Sequence, residues 1–527
     1  MLADALNAWR NVIGSAYVMT DEVTLAQAQT ATFSTTQKVP AVIQPANRSE
    51  VQACVRIANT YKVPLYPISR GKNWGYGSQV PVRDGCVLLS LQRLDRIVEY
   101  DERLAYVTVE PGVTMRQVCE FLREKRAGLL VSITGGPMEG SLIGNVLERG
   151  LGIGRYADHF AHACAFEVIL PTGECIHTGF DRFPNAQSGH VSRWSVGPYI
   201  DGLFTQSNLG IVTQMTIWLM PAPRYFCSCL FALNDDARLG ELIDALYTLK
   251  FEGGFTAPVH LYNDYKWLSM SVQPPAQAAS DQALLTGDVM KSVRNALGFG
   301  AWNGLITLRC ASKQLKDAER AFVQEVLSDK VDSLTFIEGE QVHQEEFIPG
   351  KHDISDVSAR RTNLSGGDRS IRTTYWKKKT ISSLGVDPNR DSCGVIWCAP
   401  MVPFTDQHVN AAWKTINRVC LAHSFEPHVT LVCLTERSVI ITIALLYDRE
   451  VPGEDERAMA CYNDLLQQLL VKGYIPYRLG IQSMQALPAV LDDSNALLCR
   501  VKNALDPNDI LAPGRYDFRS NWRFDLR

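Results

Sequence analysis

The stretch ISRGKNWGYGSQVP (residues 68–81) places three glycines, Gly71, Gly75 and Gly77, within seven positions. Glycine-rich loops commonly hold phosphates. Residues that tolerate positive φ let successive backbone N–H groups converge on one anion. A P-loop needs GxxxxGK[ST], and here Lys72 directly follows the first glycine. A dinucleotide fingerprint needs GxGxxG between a strand and a helix. Here the order is GxxxGxG, and the run CVLLSL that follows reads as a strand. Without a helix dipole, two readings stay open: a nest of N–H groups around an anion, or a glycine-rich hairpin with no ligand. A second glycine-rich apolar segment, TGGPMEGSLIGNVLERGLGIG (134–154), lies in the same block. Two such loops suit a long ligand with a pyrophosphate and a flat ring, which fits FAD better than a mononucleotide. His159, His162 and Cys164 are the one close set of metal-ligating types. They lack a nearby fourth ligand and the usual zinc spacing, so no metal is expected.

The elements that must position these loops follow from periodicity. VPAVIQP reads as a strand. Ser49 then opens a helix with Gln52 as its capping-box partner, and Val51, Cys54, Val55 and Ala58 form its apolar face. VPLYPIS is a strand that runs into the glycine loop. RIVEY and AYVTVEPG are further strands, and Thr114 with Gln117 opens a second helix. FEVILPTGECIHTG reads as two strands joined by a Pro-Thr-Gly turn. GIVTQMTIWLMPAP closes the block as a long strand. Beyond it, amphipathic helices at 238–252, 314–330 and 455–473 alternate with strands such as VTLVCLT and SVIITIALLY. That is the pattern of an α+β unit with helices on one face of an antiparallel sheet. The polar stretch 340–394 is expected to be a long active-site loop or a mobile segment.

The 527 residues allow two to four domains. The net charge is -4, and no basic run exceeds Lys377–Lys379, so no nucleic-acid partner is expected. Leu2, Leu6, Trp9, Val12 and Ile13 have the spacing of an amphipathic helix rather than a signal-peptide core. No apolar run approaches the ~20 residues of a membrane span. A soluble, cytoplasmic protein with no membrane partner is expected. The fourteen cysteines are scattered and read as buried free thiols.

Several segments together resemble the vanillyl-alcohol oxidase / p-cresol methylhydroxylase family of flavoproteins. They are PISRGKNWGYGSQVP, EPGVT, GSLIGNVLERGLGIGRYADHF, EVILPTGE, GPYIDGLFTQSNLGIVTQMTIWLMPAP, YRLGIQSM and LDPNDILAPGR, in the family's order across nearly the whole chain. The resemblance implies an α+β fold: a PCMH-type FAD-binding domain (1–223), a cap or substrate domain over the flavin (224–480), and a tail (481–527) returning to the first domain. It implies FAD held along its pyrophosphate by Ile68, Ser69, Arg70, Gly71, Lys72, Asn73, Gly75, Tyr76 and Gly77. Gly140, Ser141, Gly144 and Asn145 would line the cofactor further along. Gly210, Ile211 and Val212 would follow its adenine end, and Arg515 would close the site. Tyr76, Tyr477 and Arg478 look like the family's phenolate pocket. Donors around a substrate oxygen favour its ionised form, and a phenolate can expel hydride from the para benzylic carbon to leave a quinone methide. Asp158 matches an acidic residue near the flavin's reactive nitrogen, competing with a reading in which it caps a turn or pairs with Arg155. His159 and His162 are expected to pack or hydrogen-bond rather than act as bases.

The chain also departs from that family. Aligned on the Ala-Pro pair of SCGVIWCAPMVP (392–403), the flavin-linking His position falls on Val395 and the linking Tyr position near Asp387. FAD is therefore expected to be noncovalent, with Tyr375 and Cys393 the residues to inspect otherwise. Arg369, Arg372, Lys377, Lys378 and Lys379 make one cap segment basic, which reads as a solvated loop or as an entrance for a larger or anionic substrate. The resemblance implies an FAD-dependent oxidase or dehydrogenase of a para-substituted phenol or related small aromatic, with oxygen or an electron-carrier protein as acceptor, and a homodimer. The alternatives are a hydroxy-acid, sugar or larger natural-product substrate, or a non-catalytic FAD-binding subunit.

Overall fold

The computed structural model describes residues 1–271, 284–285, 287–339, 343, 371–378, 385–490 and 492–517. Arg369 and Lys379 lie outside the described residues, as does most of the 340–394 stretch.

The strands Val18–Met19, Val42–Ile43, Val87–Ser90 and Leu65–Ile68 form a four-stranded sheet in that spatial order. The last three are parallel. The glycine loop joins Leu65–Ile68 to Val87–Ser90, so it is a crossover between parallel strands and not a hairpin turn. The helix Arg48–Tyr61 packs with Leu2–Ile13 over this sheet, burying Ala5, Trp9, Val51, Cys54, Val55 and Ala58. Its cap differs from the expected one. Asn47 is the N-cap and accepts from the Glu50 N–H, while Glu50 accepts from the Ala46 N–H. Gln52 instead reaches the Gly173 carbonyl. An asparagine two residues before Ser49 offers an equally good cap oxygen, and Glu50 completes the reciprocal pair. At the second helix, Met115–Lys125, the Thr114/Gln117 box forms as expected.

A five-stranded antiparallel sheet follows, ordered Ile97–Asp101, Tyr106–Val109, Ile211–Trp218, Ala163–Ile169, Cys175–His177. Among the described residues the cap sheet has eight strands. Its main path runs Ser333–Glu338, Tyr225–Leu233, Trp302–Cys310, Val259–Asn263, His428–Cys433, Ser438–Asp448, Cys393–Cys398, and Met401–Pro403 pairs beside it with Ser438–Asp448. Helices Leu239–Phe251, Lys313–Leu327, Asp406–Ala422 and Glu454–Val471 bury their apolar stripes on one face of it. The alternate residues of its strands, among them Val432, Ile440 and Trp397, meet residues of the N-terminal block. The tail closes the structure. The Leu65 N–H donates to the Ile510 carbonyl, and the Ala512 N–H donates to the Leu65 carbonyl, both at 2.7 Å. Buried Lys502 binds Asp506 and the carbonyls of Asn208 and Leu511. All fourteen cysteines are free. Among the described residues, no helix is long and apolar enough to cross a membrane.

Candidate functional site

The glycine loop leaves the strand Leu65–Ile68 and takes φ values of 66° at Gly71, 77° at Gly75 and 115° at Gly77. These are conformations that favour glycine. The backbone N–H groups of Arg70 to Trp74 donate to no acceptor among the described residues. Beyond them the loop is clamped beneath the cap. The Gly75 N–H donates to Thr32 Oγ1 (2.9 Å), and the Gly75 carbonyl accepts from the Trp397 N–H (3.2 Å). The Tyr76 carbonyl accepts from the Ile481 N–H (3.0 Å). A Cβ on Gly75 would lie 1.9 Å from Trp397, and one on Gly77 would lie 2.7 Å from Ile481. Lys72 bridges to Asp387 at 2.8 Å.

The second glycine-rich segment comes to the first. Ser141 caps the helix Leu142–Leu147 by accepting from the Gly144 N–H, and it donates to the Pro111 carbonyl. A Cβ on Gly144 would sit 3.4 Å from Ser69 Oγ. The Gly140 carbonyl accepts from the Met115 N–H. Asn145 Oδ1 lies 2.6 Å from His159 Nδ1, and His159 Nε2 lies 2.9 Å from Ser132 Oγ. Burial lowers the His159 pKa to about 4, so the ring is a neutral packing element at pH 7. His162 stacks on Tyr156 and hydrogen-bonds the Asp158 carbonyl. Gly210 opens the strand Ile211–Trp218, where the Ile211 and Val212 side chains are buried in two different cores.

At the outer end of the loop Tyr76 meets Tyr477 and Arg478, neighbours in sequence that come from near the far end of the chain. The Arg478 guanidinium lies 4.3 Å from the Tyr76 ring centroid and donates to Asn73 Oδ1. Tyr477 is fixed by its own backbone, its N–H on the Ala399 carbonyl and its carbonyl accepting from Gln206 Nε2. Its ring packs on Ala399, Val432 and Ile440. Burial lifts the Tyr76 hydroxyl well above the ordinary tyrosine range; Tyr477 adds to that lift and Arg478 opposes it. Tyr76 is thus a protonated donor at neutral pH. Arg478 Nε is buried without a well-formed hydrogen bond, 3.4 Å from Glu148 Oε2.

Glu148 is the residue that sequence reading missed. Its carboxylate takes Arg515, Arg478 and the Tyr516 hydroxyl together. Burial alone would raise its pKa, but Arg515 and then Arg478 outweigh it and hold the group ionised. Arg515 also donates to the Tyr66 hydroxyl. The available signal was an acid following the apolar stretch Leu142–Leu147 in a glycine-rich run, where a charge needs partners.

The remaining candidates are more dispersed. Asp158 is exposed, and its Oδ1 caps the turn Phe160–His162 by accepting from the Ala161 N–H. Its backbone bridges to Leu151, which packs on the same apolar cluster as Tyr477. Val395 is wholly buried, with its N–H and carbonyl both bonded to Thr32. The Tyr375 hydroxyl donates to Asp391 and accepts from the Asp387 N–H. Burial and then the Asp391 contact raise its pKa. Burial likewise pushes the Cys393 thiol up to about 12. Neither offers a ready nucleophile. Lys377 and Lys378 are not solvated: they pair with Glu426, and with Asp448 and Glu450.

Among the described residues, a run of free N–H groups, a glycine helix start facing Ser69, and a buried Trp74 Nε1 without a hydrogen bond fit a diphosphate joined to a flat polar ring. Comparison with known proteins bears on the same residues. A sequence profile described as "FAD binding domain" matches residues 39–179. The chain is 47% identical to the 1'-carboxy-chondrochloren decarboxylase of Chondromyces crocatus, covering 99% of this chain and 98% of that protein. It is 30% identical to the 4-cresol dehydrogenase flavoprotein subunit of Pseudomonas putida, covering 88% of this chain and 85% of that one. Among solved structures, substrate-bound p-cresol methylhydroxylase superposes with a TM-score of 0.88 at 27% identity, over 99% and 98% of the two chains. The 4-ethylphenol oxidase of Gulosibacter chungangensis in its isoeugenol complex superposes with 0.87 at 26% identity, over 100% and 98%.

Proposed function

The chain belongs to the vanillyl-alcohol oxidase / p-cresol methylhydroxylase family of FAD-dependent oxidoreductases, and from that premise we propose that it removes a hydride from the benzylic carbon of a para-substituted phenol. The observation that carries this reading is the convergence of Tyr76 and Arg478 beside Tyr477 at the end of the FAD loop. When bound, FAD supplies the hydride acceptor. Residues Ile68–Gly77 would hold its diphosphate and Gly140–Asn145 the adjoining part of the cofactor. Arg478 would stabilise the ionised oxygen of the substrate, and Tyr76, kept protonated, would donate to it. Concentrating fixed donors where charge resides is electrostatic preorganisation. The phenolate then pushes its electrons through the ring as hydride leaves, and the substrate becomes a quinone methide. Asp158 is the candidate for activating a water or receiving a proton at that stage.

The identity to a decarboxylase favours a particular second step. If the carbon next to the benzylic one bears a carboxylate, the quinone methide is an electron sink. The C–CO2 bond breaks, its electron pair forms the new C=C bond, and the ring returns to phenolate. Hydride and CO2 are the only losses, so the electrons balance with FAD as the two-electron acceptor. A larger natural-product substrate suits this step.

Anaerobic mixing with para-ethylphenol, a para-hydroxybenzyl alcohol and a para-hydroxyphenylpropanoate tests the reading. Bleaching of the yellow flavin by at least one is expected, and admitting air reports whether oxygen is the acceptor. Bleaching by hydroxy acids or sugars but by no phenol would overturn it. We also propose that FAD is noncovalent, supported by buried Val395 and by the masked nucleophilicity of Tyr375 and Cys393. Acid precipitation should leave the yellow colour in the supernatant, and a yellow pellet would refute this.

A further inference from the structure

The cap holds a buried cation that the reading above does not use. Lys266 begins the second half-turn of the helix Asp264–Ser271 and is 8% exposed. Its backbone is fixed, because the Lys266 N–H donates to Asn263 Oδ1, which also accepts from the Val429 N–H, while Asn263 Nδ2 donates to the Pro427 carbonyl. Its ammonium donates to Thr373 Oγ1 (3.2 Å) and lies 5.9 Å from the Trp397 ring centroid. No carboxylate lies within ion-pair distance of it among the described residues. Glu426, in the same region, is taken by Lys377, the Trp376 indole and the Leu285 N–H. Burial lowers the Lys266 pKa to about 8, with no acidic group opposing it.

His428 faces the same space. It is 1% exposed and neither ring nitrogen makes a well-formed hydrogen bond, although Nε2 is 3.5 Å from Glu426 Oε2. Lys266 is among the groups whose charge lowers the His428 pKa. In the sheet His428 is opposite Ala444, and Ala444 is opposite Trp397. Directly opposed residues share one face. The smallest side chain of the row therefore stands between imidazole and indole, and Lys266 lies over its Trp397 end. Trp397 in turn abuts Gly75, next to Tyr76. A buried ammonium without a counter-ion is costly, and here it lies one indole away from the phenol-binding group.

We propose that Lys266, with Thr373 and His428, forms an anion subsite in the cap that takes the carboxylate of an aryl-alkyl carboxylate whose phenol end lies at Tyr76, Tyr477 and Arg478. This rests on the phenol reading above and names the substrate class within it. The carboxylate contact is the same before and during removal of the hydride, so at that step the subsite acts on KM rather than kcat.

The test uses holoenzyme whose flavin has been reduced anaerobically, so that nothing turns over. Calorimetric titration compares para-hydroxyphenylpropanoate, its amide and para-ethylphenol. The carboxylate should bind about tenfold tighter than the amide, as a charge-assisted contact supplies. Lys266→Met should bring that ratio to about one, and Lys266→Arg, which keeps the charge, should retain most of it. Equal binding of acid and amide by the natural protein, or an undiminished ratio in a folded Lys266→Met protein, would overturn the subsite alone. Failure of para-ethylphenol to bind would overturn the phenol reading and the subsite with it.

Discussion

Gly75→Ala is expected to lower the melting temperature of the holoenzyme and to strip flavin from the purified protein. Two costs add. The position has φ 77°, and an L-residue held in the left-handed region loses about 1–2 kcal/mol. The new methyl would lie 1.9 Å from Trp397 Cδ1 and 2.5 Å from its Nε1. An indole cannot bend out of the way as a lysine tip can, so overpacking adds about 1–3 kcal/mol. The strain falls on the two hydrogen bonds that tie the loop to Thr32 and to the cap strand, and hence on the free N–H groups just before them. Gly85→Ala separates the two costs. Gly85 has the same φ of 77° but nothing within 4 Å of a built Cβ, so it should show the conformational cost alone and keep its flavin. Equal melting temperatures and equal flavin content for the two variants would show that Trp397 does not clamp the loop.

The contrast between these glycines marks what sequence could and could not convey. Gly71, Gly75 and Gly77 announce a loop of unusual backbone, because type and spacing alone carry that message. Thr114 with Gln117 announces a helix start for the same reason, as Asn47 with Glu50 does one helix earlier. The parallel relation of Leu65–Ile68 and Val87–Ser90 could not be read, since it depends on which strands become neighbours. Glu148 was visible as an oddity, but its partners Arg478 and Arg515 arrive from the far end of the chain. Lys266 and His428 were invisible as a pair. They are joined only by the order of strands in the cap sheet, which short apolar runs do not specify. Basic Lys377 and Lys378 point the other way. As a charge run they read as solvated, yet buried Glu426 and Asp448 await them.

Arg478→Met is expected to lower kcat/KM for para-ethylphenol by about 10²–10³-fold, the range for removing one preorganised donor from a developing or resident oxyanion. The loss need not be a folding defect, because Arg515 and Tyr516 still hold Glu148. The pH profile decides the matter. On the proposed reading Arg478 stabilises the anionic form of the bound phenol, so that form should persist in the natural enzyme well below a phenol's ordinary pKa of about 10. Without the guanidinium the same phenol ionises only at higher pH. The rate of flavin reduction in the variant should therefore climb with pH where the natural enzyme is already level, and the deficit should narrow toward alkaline pH. Tyr76→Phe removes one neutral donor and should cost less, with a smaller shift of the same sign. A merely structural arginine would give a different result: a deficit of equal size at every pH, with the two profiles parallel. That outcome would remove the phenolate from the mechanism and leave Tyr76, Tyr477 and Arg478 as the seam where the tail of the cap meets the FAD loop.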